Sequence, residues 1–159
     1  QYIKNVNRVI TEGDLAGLHM MCTVNALCLE SLTDFMDLML KYKSQFGVDF
    51  PVFTLNIVRF PSFQSPLVLP LEKKQQHSQR LRDWLEANQD NPLVHEMERN
   101  QVTRLIDYLV SVERPHSETS FEMPKLHNDF KQFYSQYDVR RGKNFEQAFP
   151  DLADWYRSL

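Results

Sequence analysis

Two stretches of the chain alternate between apolar and polar positions. From Leu18 to Leu29, one face of an extended chain carries Leu18, Met20, Cys22, Val24 and Ala26, and the other carries His19, Met21, Thr23, Asn25 and Leu27, because successive strand side chains point to opposite sides. From Val52 to Val58, Phe53, Leu55 and Ile57 share a face and Thr54 and Asn56 take the opposite one. Both runs contain Thr-x-Asn, as Thr23-Val24-Asn25 and Thr54-Leu55-Asn56. Between them Leu32, Phe35, Met36, Met39, Tyr42 and Phe46 recur at helical spacing. Ser31 suits the N-cap, Asp34 the first turn, and Gly47 a left-handed C-terminal cap. A strand, a helix-length crossover and a second strand make a unit with parallel strands. Parallel strands usually read as unbroken apolar runs. A half-polar face shared by two neighbours therefore predicts a polar pocket or barrel lumen, with the two Asn at equivalent positions.

The remaining periodicity is helical. Tyr2, Ile3, Val6, Val9 and Ile10 read as the end of a helix with no N-cap ahead of it, so the chain is expected to open inside an element. Arg59 to Pro66 is a proline-rich loop with two aromatics. It follows the second strand, on the side where parallel α/β folds build their sites. Pro70 starts a helix to about Asn88. Another begins near Pro92, turns Val94, Met97, Val102, Leu105, Ile106 and Leu109 inward, and stops at Arg114-Pro115, before a polar loop from His116 to Ser120. Pro124 starts a helix whose Leu126, Phe130, Phe133, Tyr134 and Tyr137 form an aromatic stripe, expected to be core. Arg140 to Leu159 is expected to be short helical or irregular structure anchored by Phe145, Phe149, Trp155 and Tyr156.

Composition narrows this picture. A chain of 159 residues, 42% hydrophobic and 25% charged, suits one domain with its own core. Residues 1–70 are expected to be its strand-bearing part and 71–159 a helical extension of the same unit. A net charge of −3 gives no electrostatic case for nucleic acid or an anionic membrane. No apolar run approaches the ~20 residues of a bilayer span, and Gln1–Ile10 lacks the apolar centre of a signal peptide. The expected compartment is the cytoplasm. Cys22 and Cys28 are the only cysteines. On one continuous strand they would stand about 20 Å apart, too far for a disulfide or a shared metal.

Known catalytic motifs fail on inspection. His95-Glu96-Met97-Glu98-Arg99 begins like a zinc-protease helix but has Arg99 where the second imidazole must stand. His19, His77, His116 and His127 have no partner at ligand spacing and are expected to face solvent or be hydrogen-bonded. With 4 Gly, phosphate-cradling loops are nearly excluded. Arg140, Arg141 and Lys143 are few for a nucleic-acid surface and suit compensation of a helix dipole. The polar strand face remains. Its Thr and Asn either satisfy each other inside a packed sheet or hydrogen-bond a ligand.

The run Thr23-Val24-Asn25-Ala26-Leu27-Cys28-Leu29-Glu30-Ser31-Leu32-Thr33-Asp34-Phe35, then Thr54-Leu55-Asn56, Arg59-Phe60-Pro61 and Leu67-Val68-Leu69-Pro70, resembles the C-terminal half of radical S-adenosylmethionine enzymes of the twitch or SPASM type. Tyr137-Asp138, Arg141, Asn144-Phe145 and Phe149-Pro150-Asp151-Leu152 resemble the ending of that group. The resemblance implies an α/β fold: part of a parallel β/α barrel, not closed in this chain, followed by helices. It implies an iron–sulfur cluster and S-adenosylmethionine in the full-length parent, but the family's Cys-x3-Cys-x2-Cys loop is absent here, and such clusters need thiolate ligands. The chain is then expected to bind neither alone, and to have the missing N-terminal half as its partner. Thr23, Asn25, Thr54 and Asn56, with His19 as a weaker member, are expected to face the barrel interior and contact S-adenosylmethionine or an unknown substrate. Two other classes stay open: a non-catalytic helical interaction module of related fold, and an unrelated small enzyme using His19, Thr23 and Asn25.

Overall fold

The computed structural model describes residues 1–110 and 123–159. Helix α1 spans Tyr2–Glu12, strand β1 His19–Val24, helix α2 Leu32–Phe46 and strand β2 Val52–Ile57. Helix α3 follows at Leu71–Ala87, α4 at Glu96–Val110 and α5 at Met123–Arg141. Short helices at Phe145–Ala148 and Ala153–Ser158 end the chain. The predicted stop at Arg114-Pro115 and the loop from His116 to Ser120 lie outside the described residues. The chain is thus α/β and mostly helical, with two strands among the described residues.

β1 and β2 pair in parallel, as the strand–helix–strand reading requires. Their inner face is apolar: Val24, Phe53 and Leu55 are fully buried, with Met36 and Met39 of α2 and Val102, Leu105 and Leu109 of α4. Phe53 meets Phe35 of α2 and Trp84 of α3 edge-on, with ring centroids 6.2 and 6.4 Å apart. Burial of these side chains, each contributing roughly 1.5–3 kcal/mol, holds three helices to one side of the two strands.

The first strand is shorter than its alternation predicts. It stops at Val24 because Asn25 folds its side chain onto the chain ahead, Oδ1 accepting from the Leu27 and Cys28 amides at 2.9 and 3.2 Å. Such an Asx turn competes directly with a sheet ladder. Ala26 and Leu29 are buried within this turn rather than on a strand face. The turn also overturns the 20 Å separation of the cysteines, which assumed continuous extended chain. Cys28 folds back so that its Sγ accepts from the Asn25 amide at 3.2 Å. Burial pushes the Cys22 thiol up to about 11, and the nearby Cys28 adds to the rise.

Helix α4 also departs from expectation. Met97 is 41% exposed, and the inward position one turn before Val102 belongs to Glu98, whose side chain is fully buried. Its Oε2 accepts from Lys43 Nζ of α2 at 2.5 Å and from the His95 amide at 2.9 Å. Its Oε1 accepts from the Phe53 amide of β2 at 2.9 Å. Lys43, equally buried, also donates to the Leu93 carbonyl at 2.9 Å. Both carboxylate oxygens and two of the three ammonium donors are thereby engaged, which lowers the cost of burying the two charges.

The aromatic stripe of α5 divides in two. Leu126 and Phe130 are buried, and Phe130 lies against Tyr134, Phe145, Trp155 and Tyr156. One turn on, Phe133 and Tyr137 are 42% and 45% exposed, so the stripe is core at one end only. Gly142 closes the helix at φ +56°, with the Lys143 amide donating back to the Asp138 carbonyl at 3.0 Å. This is the left-handed cap geometry that glycine favours. Asp138 then accepts from the Phe145 amide at 2.7 Å, and Asn144 caps the next short helix by accepting from the Gln147 amide at 2.9 Å.

Candidate functional site

The outer face of the two strands is uncovered among the described residues. His19, Met21 and Thr23 of β1 are exposed, Met21 at 69%, and Asn56 of β2 is exposed beside the half-buried Val52 and Thr54. Paired residues of parallel strands share a face. The register sets His19 against Val52, Met21 against Thr54 and Thr23 against Asn56. The two Thr-x-Asn motifs are therefore staggered by two residues instead of lying side by side, which corrects the expectation of equivalent Asn positions. Thr23 and Asn56 are brought together, Thr54 lies one pair toward the N-terminal end, and His19 a further pair beyond it. Asn25 leaves the group: it sits past the end of β1 with its side-chain oxygen committed to the turn. Its partners on that face are turn amides, and only its Nδ2 donors remain for another group.

The two edges of the sheet differ. The outer edge of β2 is covered by α4, where Glu98 takes the Phe53 amide and Arg104 Nη2 donates to the Leu55 carbonyl at 2.5 Å. At β1, Leu18 and Val24 face β2, accepting from the Val52 and Val58 amides at 2.8 and 2.9 Å. The alternate residues His19, Met21 and Thr23 turn their peptide groups the other way, where no strand follows among the described residues. Among the described residues the Thr23 carbonyl meets the Cys28 thiol, at 3.7 Å. This is an edge of the kind that proteins normally cover or pair.

The residues do not fit an iron–sulfur cluster. Two cysteines fall short of the ligand number. Both are held as thiols by burial, and among the described residues no three His, Cys, Asp or Glu side chains are grouped to hold a metal. The histidines are dispersed. His95 Nε2 is 3.1 Å from the Val48 carbonyl and His127 Nε2 is 2.9 Å from that of Val68. His77 is buried with Nδ1 lacking a partner, contrary to the expectation for it, and burial lowers its pKa. His116 is outside the described residues. No helix among the described residues is long and apolar enough to cross a membrane.

A second feature was not foreseen from the sequence. A cavity of about 800 Å³ opens where the end of α5 turns back past the end of β1. Leu27, Phe133, Tyr134, Tyr137, Phe145 and Phe149 supply its apolar wall. The alternation of the strands carries no trace of it, because it depends on how the Gly142 turn folds the last residues beside α5. Gly142 and the polar residues around it were the only available signal.

Comparison with known proteins adds no relative: no family model, no curated protein and no solved structure matches the chain.

Proposed function

We propose that this chain is the C-terminal part of a radical S-adenosylmethionine enzyme of the twitch or SPASM type, supplying two strands of a partial β/α barrel and the helices that close its end. The single observation carrying this reading is the asymmetry of the sheet: helices cover one face and the β2 edge, while among the described residues nothing packs on the other face or pairs with the β1 edge. Parallel sheets are almost always covered on both faces. Further strands beside β1 would turn the bare face into a barrel interior. Thr23, Thr54 and Asn56 would then offer hydroxyl and amide groups to S-adenosylmethionine or substrate, with His19 deeper on the same face. Asn25 holds the turn at the C-terminal end of β1, where barrel sites gather. The cluster would be held by cysteines of the N-terminal half, so this chain alone is inactive and its partner is that half. The parent would reductively cleave S-adenosylmethionine to begin radical chemistry on its substrate.

A second reading, a helical module that binds a protein partner, has one observation in its favour. Phe133, Tyr137 and Val139 stand exposed on α5.

Reading the DNA upstream of the Gln1 codon separates the two. An open frame encoding Cys-x3-Cys-x2-Cys, whose product cleaves S-adenosylmethionine under reducing conditions, supports the first. A start codon with no cysteine-bearing gene nearby overturns it in favour of the second.

A further inference from the structure

The cavity beside α5 carries an inference that stands independently of the reading above. Its volume of about 800 Å³ lies within the range of small-molecule sites, roughly 300–1,000 Å³. Its wall is aromatic on two sides, from Phe133, Tyr134 and Tyr137 on α5 and from Phe145 and Phe149 on the returning chain. Lys143 belongs to its lining. A smaller depression next to it shares Phe133 and Tyr137 and is lined by Arg140 and Arg141. None of these three cations has an ion-pair partner among the described residues. Asp138 is the sole carboxylate of the lining, and it already accepts the Phe145 amide. Burial beside Tyr137 pushes the Tyr134 phenol up to about 12, so that its hydroxyl stays a neutral donor.

We propose that this cavity binds a small aromatic anion, its ring against the Phe133, Tyr134 and Phe149 wall and its charged group at Lys143 and Arg141. Flat aromatic walls favour a planar ligand through stacked or edge-on contacts. Within the lining Lys143 is offset by Asp138 alone, and Arg140 and Arg141 of the adjoining depression add two further cations, a local excess that selects for the anion in a chain of overall negative charge. Compensation of the α5 dipole accounts for basic residues at a helix C-terminus, but it does not require Lys143 to line an open aromatic cavity with Arg140 and Arg141 in the depression beside it.

The test is an amide-resolved NMR titration of the whole chain with three probes sharing one ring: indole-3-acetate, indole and tryptamine. Indole-3-acetate is expected to saturate shifts at Tyr137, Lys143, Gln147 and Phe149, binding about tenfold tighter than tryptamine at low salt. The Arg141→Gln/Lys143→Gln variant should bind indole-3-acetate no better than indole, with an unchanged melting temperature. Ala148→Trp, at an exposed position of the lining, should block all three probes without unfolding the chain. Shifts that do not saturate, shifts scattered elsewhere, or equal affinity for the three probes would overturn the proposal. So would a double variant that melts earlier but keeps its preference for the anion, since that outcome assigns the cations to the helix dipole.

Discussion

Replacing Lys43 with Met should destabilise the chain more than any exposed substitution, and a second change should restore much of the loss. In the native fold Glu98 accepts from the Phe53 and His95 amides as well as from Lys43. Lys43→Met leaves that carboxylate fully buried without its cation, a loss of about 3–5 kcal/mol. Glu98→Gln alone leaves the buried ammonium with neutral carbonyl acceptors and no counter-charge, again about 3–5 kcal/mol. In Lys43→Met/Glu98→Gln no charge remains. The Gln carbonyl keeps one of the two amides and the other is orphaned, for about 1–3 kcal/mol. Additivity would give about 6–10 kcal/mol, beyond the stability of many domains of this size. Urea unfolding followed by tryptophan fluorescence and circular dichroism measures all three variants, with the slope compared to confirm that the transition stays two-state. Losses that simply add, or single variants within about 1 kcal/mol of wild type, would refute the view of this pair as an obligate buried clamp joining α2, α4 and β2.

Phe130→Ala, which removes a buried ring touching four other aromatic rings, should lose about 3–5 kcal/mol in the same unfolding assay. Gly142→Ala meets no atom within 4 Å but must adopt φ +56°, so it should lose about 1–2 kcal/mol, and Gly142→Asn less. Because the folded Cys22 pKa of about 11 lies above its ordinary 9.0, its contribution to stability is complete below pH 9. That contribution falls away as pH rises from 9 to 11, since the unfolded chain releases the proton first. At pH 8 that thiol should also react about a hundredfold more slowly with a thiolate-specific reagent in the folded chain than in urea, and equal rates would contradict its burial. Asn25→Ala should lose about 1–2 kcal/mol through its two turn bonds, whereas Asn56→Leu in this chain alone should stay within about 0.5 kcal/mol because Asn56 is exposed.

Much of the local structure was legible because hydrophobic periodicity reports directly on which face is buried. The crossover helix, β2 and the body of β1 follow from that signal, while the end of α2 at Gly47 and the start of α3 after Pro70 come from backbone preference; Gly47 stands at φ 109°, ψ 159°, outside the left-handed helical cap expected for it. The misses have a common physical cause: one side chain bonding in competition with the periodic pattern. Asn25 reads as a strand residue until its amide is seen to close a turn. That turn shortens β1 and returns Cys28 toward Cys22, while the Thr-x-Asn motifs are out of step because the register of the two strands pairs Thr23 with Asn56. Glu98 reads as a surface helix residue, yet the free Phe53 amide and Lys43 draw it inside and turn Met97 out. Register and long-range pairing of this kind involve residues some 50 positions apart, such as Lys43 and Glu98, and no local pattern encodes them. The candidate polar face was legible in composition but not in register, and the aromatic cavity was invisible because it arises from tertiary packing of two segments that each read as ordinary core.

Hydrogen–deuterium exchange at the His19, Met21 and Thr23 amides tests most directly the claim that the sheet continues beyond β1. The measurement compares this chain alone with the product of the full reading frame. Peptide groups on an open edge exchange freely, whereas those paired with a neighbouring strand are protected. The account predicts near-unprotected exchange at these three amides in the isolated chain and strong protection in the longer protein, with the Phe53 amide protected by Glu98 in both. Equal exchange at the three amides in the two proteins would mean that no strand docks there, and the barrel reading of this chain would fall.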